Sequence, residues 1–356
     1  MNIAKENLLA VLRKCLPGVE KGGSLIEGAD TVVFAGNFAH TFNDRIAVTA
    51  PVEGQEGGQL SGAVKALDLF KLVSKMPALV LSVEVGPEAW QFSAGRSKGK
   101  LTLLKSVAAE RISAMGLDGV EWEPLPGNFA QGVNLCTLKT NSPFRGIFTD
   151  GSEMLSTDNM RMCLFGMDKP MPQMWIDTLA LSEMFKLPGE ATHFNAGATG
   201  EWAHFKMSDG TIFSARREPA DQFPAGSVKQ TIAMVCSSTT PSISGTLPDG
   251  ISGVVDRVAT MAASASGQSH IRLRLTREDL EVFAEKTSGS MTESVPWAAP
   301  LERDPNVELW VECSFLVEAA GKAMDFRVTP PSDGVPGTLI FSGTNYTQVA
   351  ATADRE

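Results

Sequence analysis

The sequence predicts an α+β chain built from repeated units of antiparallel sheet and helix. Three observations lead there. Many short runs, such as "DRIAVTAPV", "LVLSVEVG", "IRLRLT" and "MDFRVTPP", alternate apolar and polar residues, the pattern of strands with one buried face. No long βαβ alternation occurs, which disfavours a doubly wound parallel sheet. Three of six helical stretches begin near residues 4, 127 and 249; strands, a second helix and more strands fill each interval, so the plan repeats threefold.

Each helix follows from its spacing. Residues 4–16 place Leu8, Leu12 and Cys15 on one face, and residues 63–76 do the same with Val64, Leu67, Phe70 and Val73. Residues 127–139 align Phe129, Val133 and Cys136. The stretch 178–187 follows Asp177, a residue suited to cap a helix N-terminus. Residues 249–264 carry the cleanest period, with Ile251, Val254, Val255, Val258, Met261 and Ala262. The stretch 312–323 is the last. Glycine and proline, 33 and 20 in number, punctuate the strands between.

At 356 residues the chain is too long for one core; at roughly 150 residues per domain it holds two or three. The hydrophobic share of 43% is globular. No apolar run approaches the ~18–20 residues of a membrane helix, and charges interrupt the opening "MNIAKENLLAVLRKC", so a soluble cytoplasmic protein without membrane partners is expected. The five cysteines are scattered and never spaced CxxC, and the four histidines form no HxxxH or HxH pair. Reduced, mostly buried thiols are expected, with no metal and no cofactor. The net charge of −10 disfavours a coat of nucleic acid, but a basic concavity within an acidic shell remains compatible, because fields are screened within ~8 Å.

Several segments carry a resemblance. They are "MNIAKENLLAVL" at the start, "SAGRSKGKLTL" (93–103), "VEWEPLPGNFAQGVNL" (120–135), "FRGIFTDGSEMLSTDNMRMCLFG" (144–166), "DQFPAGSV" (221–228) and "SFLVEAAGKAMDFRVTPPSDGVPGTLIFSGTNYTQVA" (314–350). In order and spacing they resemble the bacterial β sliding clamp, the DNA polymerase III beta subunit family; Thr157-Asp158-x-x-Arg161 is the most specific match. The resemblance implies three tandem DNA-clamp domains, 1–118, 119–228 and 229–356, each with two helices on one side of antiparallel sheet. It implies a ring-forming, head-to-tail homodimer that encircles duplex DNA without reading its sequence. Such a ring is a processivity factor and not an enzyme. It tethers the polymerase and raises its local concentration, and it is nucleoid-associated when loaded.

The helices would line the channel, and their cations are the candidate DNA contacts: Lys5, Arg13 and Lys14; Lys65, Lys71 and Lys75; Lys139, Lys186, Arg257 and Lys322. Arg96, Lys98 and Lys100 in "GRSKGK" form a further basic cluster. Many weak phosphate contacts suit a protein that slides, although for any one residue a solvated helix face explains the charge equally well. The resemblance also implies a pocket in which the polymerase and the clamp loader insert short apolar peptides. Its residues would be Phe144, Thr157, Met160, Arg161, Met162, Pro224, Val228, Thr347 and Val349. Methionines give an adaptable apolar surface, and Arg161 would fix a peptide carbonyl or polar side chain. Two departures stand out. The family has His where Met160 stands, and its apolar terminus Met-Pro-Met-Arg-Leu is here "VAATADRE". Divergence of this degree suits a phage or plasmid clamp.

Two rival readings are weaker. Asp150, Glu153 and Asp158 are carboxylates near enough in sequence for metal or acid–base chemistry, yet a hairpin surface explains them more simply. A β-rich structural protein of a phage particle explains the strands and the acidity, but not six cation-bearing helices in threefold register.

Overall fold

The computed structural model describes residues 1–22, 26–52, 60–117, 120–140, 142–197, 200–262, 270–302, 304–332 and 335–353. The chain forms two compact units, Met1–Leu125 with Met174–Pro219, and Pro126–Gln173 with Ala220–Glu356.

Along the chain a single plan appears three times. The first repeat runs β1 (Asn2–Ala4), α1 (Lys5–Cys15), β2 (Thr31–Ala35), β3 (Phe38–Phe42), β4 (Ile46–Pro51), β5 (Gly62–Lys65), α2 (Ala66–Lys75), β6 (Val80–Val85), β7 (Ala89–Ala94) and β8 (Ser97–Thr102). After α3 (Ala108–Ala114) come β9 (Glu123–Pro124), α4 (Phe129–Cys136), the long β10 (Ile147–Thr157) and β11 (Arg161–Ile176), α5 (Thr178–Met184), β12 (Ala191–Asn195), β13 (Trp202–Met207) and β14 (Ile212–Glu218). After α6 (Ala225–Ser237) the third repeat is β15 (Ile243–Thr246), α7 (Ile251–Ala259), β16 (His270–Leu275), β17 (Asp279–Lys286), β18 (Gly289–Pro296), β19 (Val307–Glu312), α8 (Cys313–Ala320), β20 (Asp325–Thr329), β21 (Thr338–Gly343) and β22 (Tyr346–Ala351).

Strand pairing repeats with it. The first strand of each repeat pairs the strand that follows its second helix, and the last two strands then follow: β1-β6-β7-β8, β9-β12-β13-β14 and β15-β20-β21-β22. The middle strands run β4-β3-β2-β5 in the first repeat and β18-β17-β16-β19 in the third. Two joints link successive repeats. Within the first unit β14 lies antiparallel to β4, with Ser214 opposite Ala47. Within the second unit β22 lies antiparallel to β11, with Val349 opposite Met162. Each joint sets the last strand of one repeat beside the middle strands of the one before. Among the described residues, β8 of the first repeat and β18 of the third pair on one side only.

The apolar periods of the sequence become the buried helix faces. α1 buries Leu8, Leu9, Val11, Leu12 and Cys15 against α2, β3 and β4. α7 buries Ile251, Val254, Val255 and Val258 against α8, β17 and β18. Each such aliphatic side chain contributes on the order of 2 kcal/mol. Asp177 caps α5 as expected, accepting the Leu179 N–H at 2.8 Å. No described helix is long and apolar enough to cross a membrane.

Two helices were not expected. α3 buries Ala108 and Ile112. α6 starts after Pro224 and buries Val228 and Ile232, so the joint placed near residue 228 runs through a helix and not an extended segment. Its sequence, "AGSVKQTIAMVCS", is rich in β-branched residues and glycine, poor helix formers in isolation. Packing of its apolar side on β10 stabilises it instead. The joint placed near residue 118 falls beside residues 118 and 119, which lie outside the described residues.

Candidate partner site and basic faces

The polar turn between β10 and β11 is closed by its own side chains. Asp158 Oδ1 accepts the N–H groups of Met160 and Arg161 at 3.1 and 3.0 Å. The Thr157 hydroxyl donates to the Arg161 carbonyl at 3.0 Å and accepts the Asn159 N–H at 3.1 Å. Asn159 takes φ 74°, a left-handed conformation that Asn tolerates well. The turn leaves Met160 57% exposed.

From Arg161 onward, pleating splits β11 into two faces. Arg161, Cys163 and Phe165 are buried, and so are Tyr346, Gln348 and Ala350 opposite them on β22. Met162 and Leu164 lie on the other face, opposite Val349 and Thr347. Met162, Leu164 and Thr347 are half-buried, while Val349 is buried beside Ile340 of β21. Register therefore brings Met162, Thr347 and Val349 together, with Met160 at the end of the row, where its carbonyl accepts the Ala351 N–H at 3.2 Å. Leu164 and Ile340 belong to this face and were missed in the sequence; the alternation of β11 and β21 was the signal for them.

Of the other five expected pocket residues, Arg161, Thr157 and Val228 are buried. Arg161 is 1% exposed and turned inward. Its Nε donates to Asp158 Oδ2 and its Nη1 to Glu318 Oε2, both at 2.9 Å, and its guanidinium lies 4.4 Å over the Phe315 ring. Its donors are spent within the chain, which corrects the expectation that they reach a peptide. Thr157 is likewise buried and occupied by the turn. Val228 is 1% exposed under α6, so it supports that helix and does not line an open pocket. Pro224 is the residue before the first turn of α6. Phe144 is half-buried in the loop before β10, where its N–H donates to the Ser142 hydroxyl at 3.2 Å. Farther along the same sheet, Thr347 and Ile340 also border a shallow groove of about 490 Å³ with Arg327, Ser342 and Cys236.

The first repeat contains the same turn, which serves as an internal control. Asn43 Oδ1 accepts the N–H groups of Arg45 and Ile46 at 3.2 and 2.8 Å, and Asp44 takes φ 69°. The Arg45 carbonyl accepts the Arg216 N–H at 2.8 Å, as that of Met160 accepts Ala351. Position by position, Arg45 stands for Met160, Ile46 for Arg161, Ala47 for Met162, Ser214 for Val349 and Arg216 for Ala351. The first joint displays exposed arginines, with Arg216 on Asp44 at 2.8 Å, and its Ala47 is covered by Ile112 and Met115 from α3 and its C-cap. An apolar row is presented at the second joint and not at the first.

The candidate DNA contacts divide as sharply. In the first unit Lys71 and Lys75 are exposed on α2 with no ion partner among the described residues. Lys5 donates to the Met76 carbonyl at 2.8 Å, and Arg13 lies 3.7 Å from Glu6. Lys14 is buried on Asp209 at 2.8 Å, which corrects its assignment to a solvent-facing helix side. Lys65 pairs Asp30 at 3.2 Å and Lys186 pairs Glu183 at 2.6 Å. Arg96, Lys98 and Lys100 are exposed at and along the edge strand β8, on a strand that packs against α2 and not on a helix face. In the second unit Lys139 is exposed beyond α4. Arg257 is held by both oxygens of Glu293, at 2.8 and 2.6 Å. Lys322 is a second correction: it turns inward, donates to the carbonyls of Leu135 and Thr137 at 3.1 and 2.9 Å at the end of α4, and burial lowers its pKa.

The carboxylates of the enzyme reading are engaged. Asp150 and Glu153 both hold Lys229 at 2.6 Å, and Asp158 holds Arg161. Among the described residues no group of His, Cys, Asp and Glu is arranged to hold a metal.

Comparison with solved structures gives this geometry its place. The Bacillus subtilis DNA polymerase sliding clamp superposes with a TM-score of 0.75 over 100% of this chain and 99% of its own, at 14% identity. A Helicobacter pylori beta clamp bound to a DNA ligase peptide gives 0.76 over 100% of both chains at 13% identity. The DNA polymerase III subunit beta of Pseudomonas aeruginosa gives 0.73 over 100% of both at 15%. The chain has the sliding-clamp fold. By sequence, no protein-family model and no curated protein matches it. The clamp fold accounts for the threefold pairing plan; β8 and β18 are among the strands paired on one side only, whereas their counterparts are joined at the two internal joints.

Proposed function

We propose that the protein is a DNA sliding clamp, a non-catalytic ring that encircles duplex DNA and tethers replication proteins to it. The strand plan carries this reading. Each internal joint sets the last strand of one repeat beside the middle strands of the preceding repeat, and one member of each kind, β8 and β18, is paired on one side only. Exposed edges of this sort invite pairing. Two copies placed head to tail satisfy both edges and close the ring, a heterologous contact that returns on itself. Three clamp domains per chain follow, with the boundary near residue 228 running through α6.

In that ring Lys71 and Lys75, with Lys5 and Arg13, supply the sequence-blind phosphate contacts, and Lys139 adds one from the second repeat. The outer face of β11 and β22, with Met160, Met162, Thr347 and Val349, takes an apolar peptide of the polymerase or the loader. The Helicobacter pylori clamp structure with its ligase peptide supports a partner site of this type. The test is mass in solution by light scattering with negative-stain electron microscopy. A ring at twice 38.0 kDa, wide enough for a duplex, is expected. A polymer or a solid particle would favour the particle-component reading instead.

A further inference from the structure

A buried ion cluster lies behind the exposed methionine. The side chains of Asp158, Arg161 and Glu318 are 6%, 1% and 6% exposed. Glu318 on α8 uses both oxygens, Oε2 on Arg161 Nη1 at 2.9 Å and Oε1 on the Lys139 N–H at 3.1 Å. Arg161 Nε passes the connection to Asp158 Oδ2 at 2.9 Å, and Asp158 Oδ1 holds the N–H groups of Met160 and Arg161. A continuous chain of charge-assisted hydrogen bonds thus runs from α8 to the peptide group of Met160.

The fold does not need this cluster. At the equivalent turn of the first repeat, Ile46 stands where Arg161 stands, and the neutral Asn43 closes the turn. Buried ion pairs are also poor stabilisers, because desolvation of the charges offsets their attraction, and apolar replacements are often neutral. What the cluster adds is a fixed turn at the joint that displays Met160, where the other joint displays Arg45.

We propose that Glu318 is a positioning residue for the partner site: acting through Arg161 and Asp158, it fixes the turn that presents Met160, although it is out of reach of any ligand on the outer face. This rests on the outer-face site described above, so the experiment separates the two ideas. Arg161→Ile combined with Glu318→Leu copies the apolar solution of the first repeat. Three quantities are measured on the full chain: the melting temperature, amide hydrogen exchange at Met160 and Arg161, and affinity for a fluorescein-labelled DNA ligase peptide of the kind bound by the Helicobacter pylori clamp. The double variant is expected to melt within about 5 °C of the parent. Exchange at the two amides should quicken, and peptide affinity fall, by about tenfold each, the scale of one lost charge-assisted hydrogen bond. Unchanged exchange in a stable double variant overturns the proposal, whatever the peptide does. If exchange quickens but the parent binds no peptide, the turn-fixing role stands and the partner-site reading fails. Should the double variant not fold, Glu318→Gln decides, since it keeps the shape and loses the charge: it too should quicken exchange at the two amides, and an unchanged rate overturns the role.

Discussion

His204 shows how one side chain ties stability to pH. It is buried on β13, with Nδ1 2.8 Å from the Ser214 hydroxyl. Burial lowers its pKa from 6.5 to about 4. The unfolded chain therefore binds a proton at pH values where the folded chain does not. This contribution to stability is intact above pH 6.5 and is lost as pH falls through about 4, a loss of about 3 kcal/mol. In urea titrations across that window, His204→Asn should show a shallower fall in stability than the parent. An equal slope would place the acid sensitivity in other groups. The cysteines offer a second test. Burial pushes the Cys15 thiol up to about 12 and raises Cys136 and Cys163, whereas Cys236 is exposed at the end of α6. Only thiolates react with iodoacetamide, so mass spectrometry of the briefly treated native protein should find Cys236 modified first. Equal labelling of Cys15 would contradict its burial.

At the scale of elements, two surfaces carry the proposed function, and each is tested by changing exposed or half-buried side chains. α2 turns Leu69 and Val73 inward and leaves Lys71 and Lys75 exposed. Reversing both to Glu should reduce retention on circular DNA by tenfold or more, since each phosphate contact adds to a steep electrostatic dependence, while the mass in solution stays unchanged. Retention equal to the parent would remove α2 from the channel. On the other surface, Met160→Ala with Met162→Ala should weaken a partner peptide by about tenfold, the loss of two apolar contacts; fluorescence anisotropy reads it, and an unchanged Kd rejects the outer face as the site. How far these elements were legible differs. Amphipathic periods marked four of the six expected helices, because burial of one face is local in sequence, although α2 buries Leu69 and Val73 where Leu67 and Phe70 were expected beside Val73. α6 stayed hidden because its stability comes from β10. Register sets Met160, Met162, Thr347 and Val349, candidates from the family resemblance, in one row, but the inward turn of Arg161 was not legible, because its partner Glu318 is remote in sequence.

For the whole molecule the open question is closure of the ring, and the two edge strands state it physically. Successive residues of an edge strand alternate between facing their partner and facing outward. Proline at Met291 or at Thr292 of β18 therefore removes an outward donor in one case. One of the two variants should sediment as a monomer while keeping the β-rich circular dichroism of the parent. A dimer that persists in both would move the joint elsewhere. The alternation of β8 adds charge to this edge, with Lys98 and Lys100 on one face, so association should also weaken with salt.

The fold class and the threefold plan were legible in the sequence, because strand alternation, helix periods and repeat spacing are properties of neighbours in the chain; the candidates for the apolar row came from the family resemblance, and strand register set them on one face. Tertiary structure decided which charges face solvent. Lys14 and Lys322 were expected on solvent-facing helix sides and Arg161 in a peptide pocket, yet each is drawn inward by a carboxylate or by backbone carbonyls far away in sequence. A charged side chain is buried only where a partner compensates its lost hydration, and only the folded chain brings that partner near.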